Sequence, residues 1–159
     1  MHPRLIIGVF VLCGVVLSGT AHELGHAIAG KMAGLNVVYI QILPPGLRLS
    51  GEPTGFWNAA ISISGMLFSV LIGLAGALGV ILLASRWPSI RYAVWLFVPM
   101  MAQALAWLCL PLVAVLGVRI PDGDIQKFMQ QTNCPPLAIS LIGLVLAALC
   151  AAVLKWVWS

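Results

Sequence analysis

Charge is what this chain has least of. Of its 159 residues, 8% are charged and 62% hydrophobic, with a mean hydropathy of +1.09, whereas a soluble domain carries about 25% charged residues. A water-soluble globular domain is thereby excluded, and an integral membrane protein is expected. The basic residues are scattered, so the net charge of +4 gives no nucleic-acid patch; Lys and Arg near the ends of apolar stretches meet lipid headgroups instead. Cysteine is scarce and unpaired. Cys13, Cys109 and Cys150 fall in apolar stretches, Cys134 alone lies in a connection, and no Cys-x-x-Cys spacing occurs, which excludes a disulfide framework and a thiolate zinc site. Repeats and low-complexity segments are missing too.

What is present is four long apolar runs, each near the roughly 20 residues that a span requires. They cover about residues 5–30, 56–84, 92–118 and 137–158, so residues 1–159 read as a single all-α integral membrane domain. Trp57, Trp87, Trp95, Trp156 and Trp158 stand near span ends, where an aromatic belt places them, and Trp107 is central. Ser69, Gly73 and Ala77, and again Gly143 with Ala147, give small residues at four-residue spacing, which allows close helix packing. Between the first two spans, residues 37–51 read as a short hairpin: Val37 to Leu43 is β-prone, "PPG" is turn chemistry and "LRLS" alternates. A competing reading of the N-terminus is a secretory signal, from "MHPR" through Leu17 to "SGTA", but the apolar pattern continues through "AIAGKMAGL".

Within the first span stands "HELGH", an expensive place for ionisable groups. His22 and His26 are four residues apart, so a helix puts both on one face, one turn apart. Their imidazoles can share one zinc ion, and Glu23 can serve a metal-activated water as general base. The bland alternative is a pair of buried histidines bonded to neighbouring spans.

Two histidines leave zinc one protein ligand short, since hydrolytic sites usually hold three and keep one position for water. The only other acidic residues are Glu52, Asp122 and Asp124. Spans alternate direction, so "PDGD" (121–124) after the third span reaches the same membrane face as the histidines. A turn followed by a helix with an Asp cap is the plain reading of that stretch. A ligand role for one aspartate is compatible with it. Asp122, between Pro121 and Gly123, is the expected ligand, with Asp124 as the alternative and otherwise in the first turn of the next helix.

Taken together, "HELGH", "SISGM" (62–66) and "IPDGD" resemble, in order and spacing, the motifs of the site-2 protease family of intramembrane zinc metallopeptidases. Met66 stands where that family's small-residue motif carries proline, and "LGVRIPDGD" lacks the Asn that often leads into its Asp-Gly motif. The resemblance implies His22, His26 and Asp122 on zinc, Glu23 as catalytic base, and a membrane-embedded hairpin beside the site that holds the substrate as an added strand. It further implies a single-span membrane-protein substrate, cut as the second step of a signalling cascade, and an active site open to the cytoplasm in the cell membrane. Charge gives no direction: Arg4, Arg86, Arg91 and Lys155 oppose Lys31, Arg48, Arg119 and Lys127. The chain reads as a minimal core without a regulatory domain, so control of substrate access falls to a membrane partner, lipid or a prior cut. Asn58 and Gln103 are candidates for the oxyanion stabiliser, or for plain interhelical hydrogen bonds. Two other classes of function stay open: a metal-binding membrane regulator without activity, and a metal or proton transporter.

Overall fold

The computed structural model describes residues 3–120 and 123–158. Helix α1 (Pro3–Met32) leads into strands β1 (Val37–Gln41) and β2 (Gly46–Leu49), then α2 (Phe56–Ala84), a 3-10 helix (Pro88–Leu96), α3 (Val98–Val115), α4 (Asp124–Thr132) and α5 (Pro136–Trp158). Four of these helices, α1, α2, α3 and α5, are long and apolar enough to cross a membrane. The expectation of an all-helical, four-span protein with one hairpin after the first span holds. The third span differs in its start. Tyr92 belongs to the 3-10 helix, and the spanning helix begins only at Val98. Pro99 is the reason: it lacks an N–H, suits a helix's first turn, and disfavours continuous α-helix through the residue before it.

The bundle is held by backbones in close approach. Without a hydrophobic driving force inside lipid, van der Waals packing of small residues must bring helices together. Gly25 of α1 lies against α2, where an added Cβ would stand 2.5 Å from the Ser64 carbonyl oxygen and 3.0 Å from Gly65 Cα. Gly73 of the expected small-residue stripe faces α3, with 2.9 Å from such a Cβ to Met101 Cγ. Ser69 and Ala77 of that stripe are completely buried. Gly143 of α5 lies on the α3 backbone at Trp107 and Leu108, where a Cβ would collide with main-chain atoms. Pro111 sits inside α3, and its missing N–H leaves the carbonyl four residues earlier, that of Trp107, without its helical donor.

The hairpin pairs antiparallel, with Ile40 opposite Leu47 and Gln41 opposite Gly46, and an irregularity between Val37 and Tyr39. It lies along α1. Leu49 packs on Gly30 and Pro45 on Gly19, each 2.8 Å from the Cβ that the glycine lacks. Eleven helical residues span about 16 Å, so the hairpin's turn reaches one helical turn below His22. Val38, Tyr39, Ile40, Ile42 and Leu43 are exposed, an apolar surface suited to lipid.

Because Gly143 meets backbone, which cannot rotate away, Gly143→Leu should push α5 off α3 and destabilise the protein by about 1–3 kcal/mol. Thermal unfolding in detergent would register this as a lowered midpoint, and an unchanged midpoint would show that the contact is dispensable.

Candidate metal centre

On α1, a helix through the whole polar cluster, His22 and His26 stand one turn apart, as the spacing predicts. Their Nε2 atoms are 3.0 Å apart and their rings are edge-to-face, with centroids 4.6 Å apart. Asp124, the first residue of α4, brings Oδ2 to 2.8 Å from His22 Nε2 and 3.1 Å from His26 Nε2. Among the described residues these three form a group able to hold a metal ion. His26 and Glu23 are buried. Gly65 makes room for the rings: a Cβ there would lie 2.5 Å from His26 Nε2 and 2.8 Å from His22 Nε2.

The far nitrogen of each ring is already committed. His26 Nδ1 donates to the Ile61 carbonyl of α2 at 2.6 Å; a carbonyl only accepts, so the proton is on Nδ1. His22 Nδ1 meets Gln103 Oε1 of α3 at 2.8 Å. The orientation of that amide follows from its other end, where Gln103 Nε2 donates to Ser18 Oγ at 2.8 Å and faces the Ser18 carbonyl at 3.4 Å. Ser18 Oγ in turn donates to the Pro99 carbonyl at 3.3 Å, and Ser69 Oγ donates to the Ser18 carbonyl, also at 3.3 Å. A carbonyl oxygen of Gln103 therefore accepts from His22, which fixes the same tautomer as in His26.

With Nδ1–H spent on both rings, each neutral imidazole presents a lone pair at Nε2. Those two lone pairs and the Asp124 carboxylate converge on one point. Such a convergence holds together only around a shared cation, a proton or a metal. Burial opposes the charge on Asp124, but when a proton occupies the cluster the hydrogen bonds from His22 and His26 outweigh burial and keep the carboxyl well below the usual carboxylate range. The set fits zinc chemically: two imidazole nitrogens and one carboxylate oxygen, each ring oriented by an acceptor behind it. The donors stand a few tenths of an ångström closer than the roughly 3.3 Å edge of a tetrahedral zinc site.

Two cavities meet at this point. One, of about 630 Å³, is lined by Glu23, His26, β2 and the polar residues Glu52, Asn58, Lys127 and Gln131. The other, of about 440 Å³, lies between α1 and α3 on the His22 side. Glu23 and Asp124 line both. The Glu23 carboxylate accepts no hydrogen bond among the described residues, so it is available to water in the cavities.

Of the residues singled out in the sequence, His22, Glu23, His26 and Asp124 come together. Asp122 lies outside the described residues. Glu52 and Asn58 line the larger cavity. Gln103, a candidate for stabilising an oxyanion, is occupied at both ends of its amide by His22 and Ser18. Ser18 and the Ile61 and Pro99 carbonyls carried no signal in the sequence: a serine in an apolar helix is commonplace, and every residue has a carbonyl. Gln103, the one amide in the third span, was the only visible trace of this network.

A model of the peptidase M50B-like family matches residues 5–118, from α1 to just beyond α3, ending before Asp124. No curated protein and no solved structure matches the chain.

Replacing the acceptor behind His22 should loosen the metal without touching a ligand. Gln103→Leu is expected to weaken zinc affinity about 10- to 100-fold, read by chelator competition on purified protein, with folding retained. Full affinity in that variant would show that Gln103 does not orient His22.

Proposed function

The chain belongs to the peptidase M50B-like family, and on that premise we propose that it is a zinc-dependent intramembrane endopeptidase, which cuts a transmembrane segment of a single-span substrate as the second step of a regulated cascade. The observation that carries the reading is the group of His22, His26 and Asp124 on one side of the unbonded Glu23 carboxylate, inside a four-span membrane protein. In this reading His22, His26 and Asp124 hold the metal. Bound there, zinc supplies Lewis acidity, which activates water and polarises the scissile carbonyl.

Glu23 does the proton work. Its carboxylate takes a proton from the attacking water and passes it to the leaving amine nitrogen, so that the C–N bond breaks to a neutral amine. Glu23 and His26 are buried in the bundle, where a lowered dielectric strengthens each electrostatic contact. Substrate presentation falls to β2. Its residues Gly46, Leu47 and Leu49 line the larger cavity beside Glu23 and His26, and a strand in a two-stranded sheet has one edge unpaired. A helical substrate hides its peptide bonds in its own hydrogen bonds; an unwound segment added along β2 exposes them. Glu23 also separates this reading from a metal store or an inactive regulator, because a storage site has no use for a base beside its ligands. A cell-membrane location, an active site open to the cytoplasm and control by a membrane partner complete the proposal.

Two sets of variants test it. Glu23→Gln should keep zinc and lose cleavage of a single-span reporter by at least about 100-fold, since an amide cannot take the proton. Undiminished cleavage would remove Glu23 from the mechanism. Asp124→Asn should lose most bound zinc, measured as metal per chain, while Asp122→Asn keeps it. Zinc lost only in the Asp122 variant would transfer the ligand role, and zinc retained in both would remove the aspartate from the site.

A further inference from the structure

We infer that the groove between α1 and α3 is an apolar subsite that seats one uncharged, leucine-sized side chain of the substrate next to the scissile bond. The inference rests on the zinc-peptidase reading above and adds a rule for which side chain is accepted.

The groove is made by one face of each helix. Gly19, His22 and Glu23 of α1 follow helical spacing, as do Gln103, Ala106, Trp107 and Leu110 of α3. Pro45, at the hairpin turn, closes the end against Gly19, within 2.8 Å of where that residue's Cβ would be. Ile120 and Ile125 complete the wall. Its 440 Å³ is within the usual range of ligand pockets. The metal group lies at its base, so a side chain in the groove belongs to a residue whose backbone crosses the metal.

Polarity decides what fits. Among the described residues, the charged groups on the walls are Glu23 and Asp124, both at the metal end. The remaining polar groups of the floor are spent on one another: His22 Nδ1 on Gln103 Oε1, and Gln103 Nε2 on Ser18. Away from those two carboxylates, a polar side chain would leave water and find no partner among the described residues, which is penalised, whereas an apolar one gains from burial. Leu105 and Leu112, exposed at 50% and 39%, lie on the face of α3 turned away from the groove. The larger cavity has the opposite character, with Glu52, Asn58 and Lys127 on its wall. A substrate strand therefore lies with its apolar flank towards α1 and α3 and its polar flank towards the start of α2 and α4.

Two hydroxamates read the groove without any cut: acetohydroxamate, which needs only the metal, and an analogue that carries an isobutyl side chain. On the zinc-loaded protein the isobutyl compound should bind at least about tenfold more tightly. Ala106→Trp, which fills the groove, should bind the two alike, whereas Leu105→Trp, on the lipid face of the same helix, should keep the preference. Should Ala106→Trp fail to hold zinc, Leu110→Ala serves instead, because a widened groove should favour a naphthylmethyl hydroxamate over the isobutyl one. No isobutyl preference in the unaltered protein, or a preference untouched by both groove variants, would overturn the subsite while leaving the zinc-peptidase reading intact. Failure of the zinc-loaded protein to bind acetohydroxamate would overturn that reading, and the subsite with it.

Discussion

Three electron-pair donors aimed at one point inside a membrane bundle set the terms for the rest of this structure. The Nε2 atoms of His22 and His26 and the Oδ2 of Asp124 lie within 2.8–3.1 Å of one another, and neither ring can turn its proton inward, because Nδ1 is engaged on the opposite side. In a medium of low dielectric such an arrangement repels itself unless a cation sits in it. The surrounding residues are consistent with that demand. Ile61 and Gln103 hold the rings in place, and Ser18 links Gln103 to Pro99 and Ser69, so α1, α2 and α3 are joined by polar contacts at the level of the metal group.

That arrangement depends on glycine. Gly65 leaves space for both imidazoles, and Gly25 lets α1 and α2 approach until the Ile61 carbonyl comes within reach of His26. A methyl group at Gly65 would compete with the rings for the same volume. The small-residue motif thus serves two ends at once, helix packing and site geometry. A stripe of small residues elsewhere, such as Ser69 and Gly73, serves packing and joins the polar link through Ser69.

Family membership and local chemistry converge on a membrane metallopeptidase, although the matched region ends short of Asp124. The third donor arrives from α4, a short helix that is not among the four apolar enough to span. It is tied to the bundle by Phe128, whose ring packs against Trp107 with centroids 5.3 Å apart, and by Gln131, whose Oε1 accepts from Ser62 at 3.0 Å. An otherwise polar segment is thereby held over an apolar groove and a polar cleft that share Glu23.

Composition and periodicity alone determined the solvent, the number of spans, the hairpin and the spacing of His22, Glu23 and His26, because each follows from local chemistry: apolar length, turn residues and the helical repeat. The start of the third span is not legible in the sequence, since an apolar run does not say where a helix pauses at Pro99. That Asp124 faces the histidines was beyond the sequence as well, since its direction is set by how α4 packs on α2 and α3. Only the tertiary structure spent Gln103 on His22, placed the Ile61 carbonyl behind His26 and opened one cavity on each side of Glu23. Those are contacts between residues tens of positions apart, made by backbones whose approach the folded bundle, and no single segment, decides.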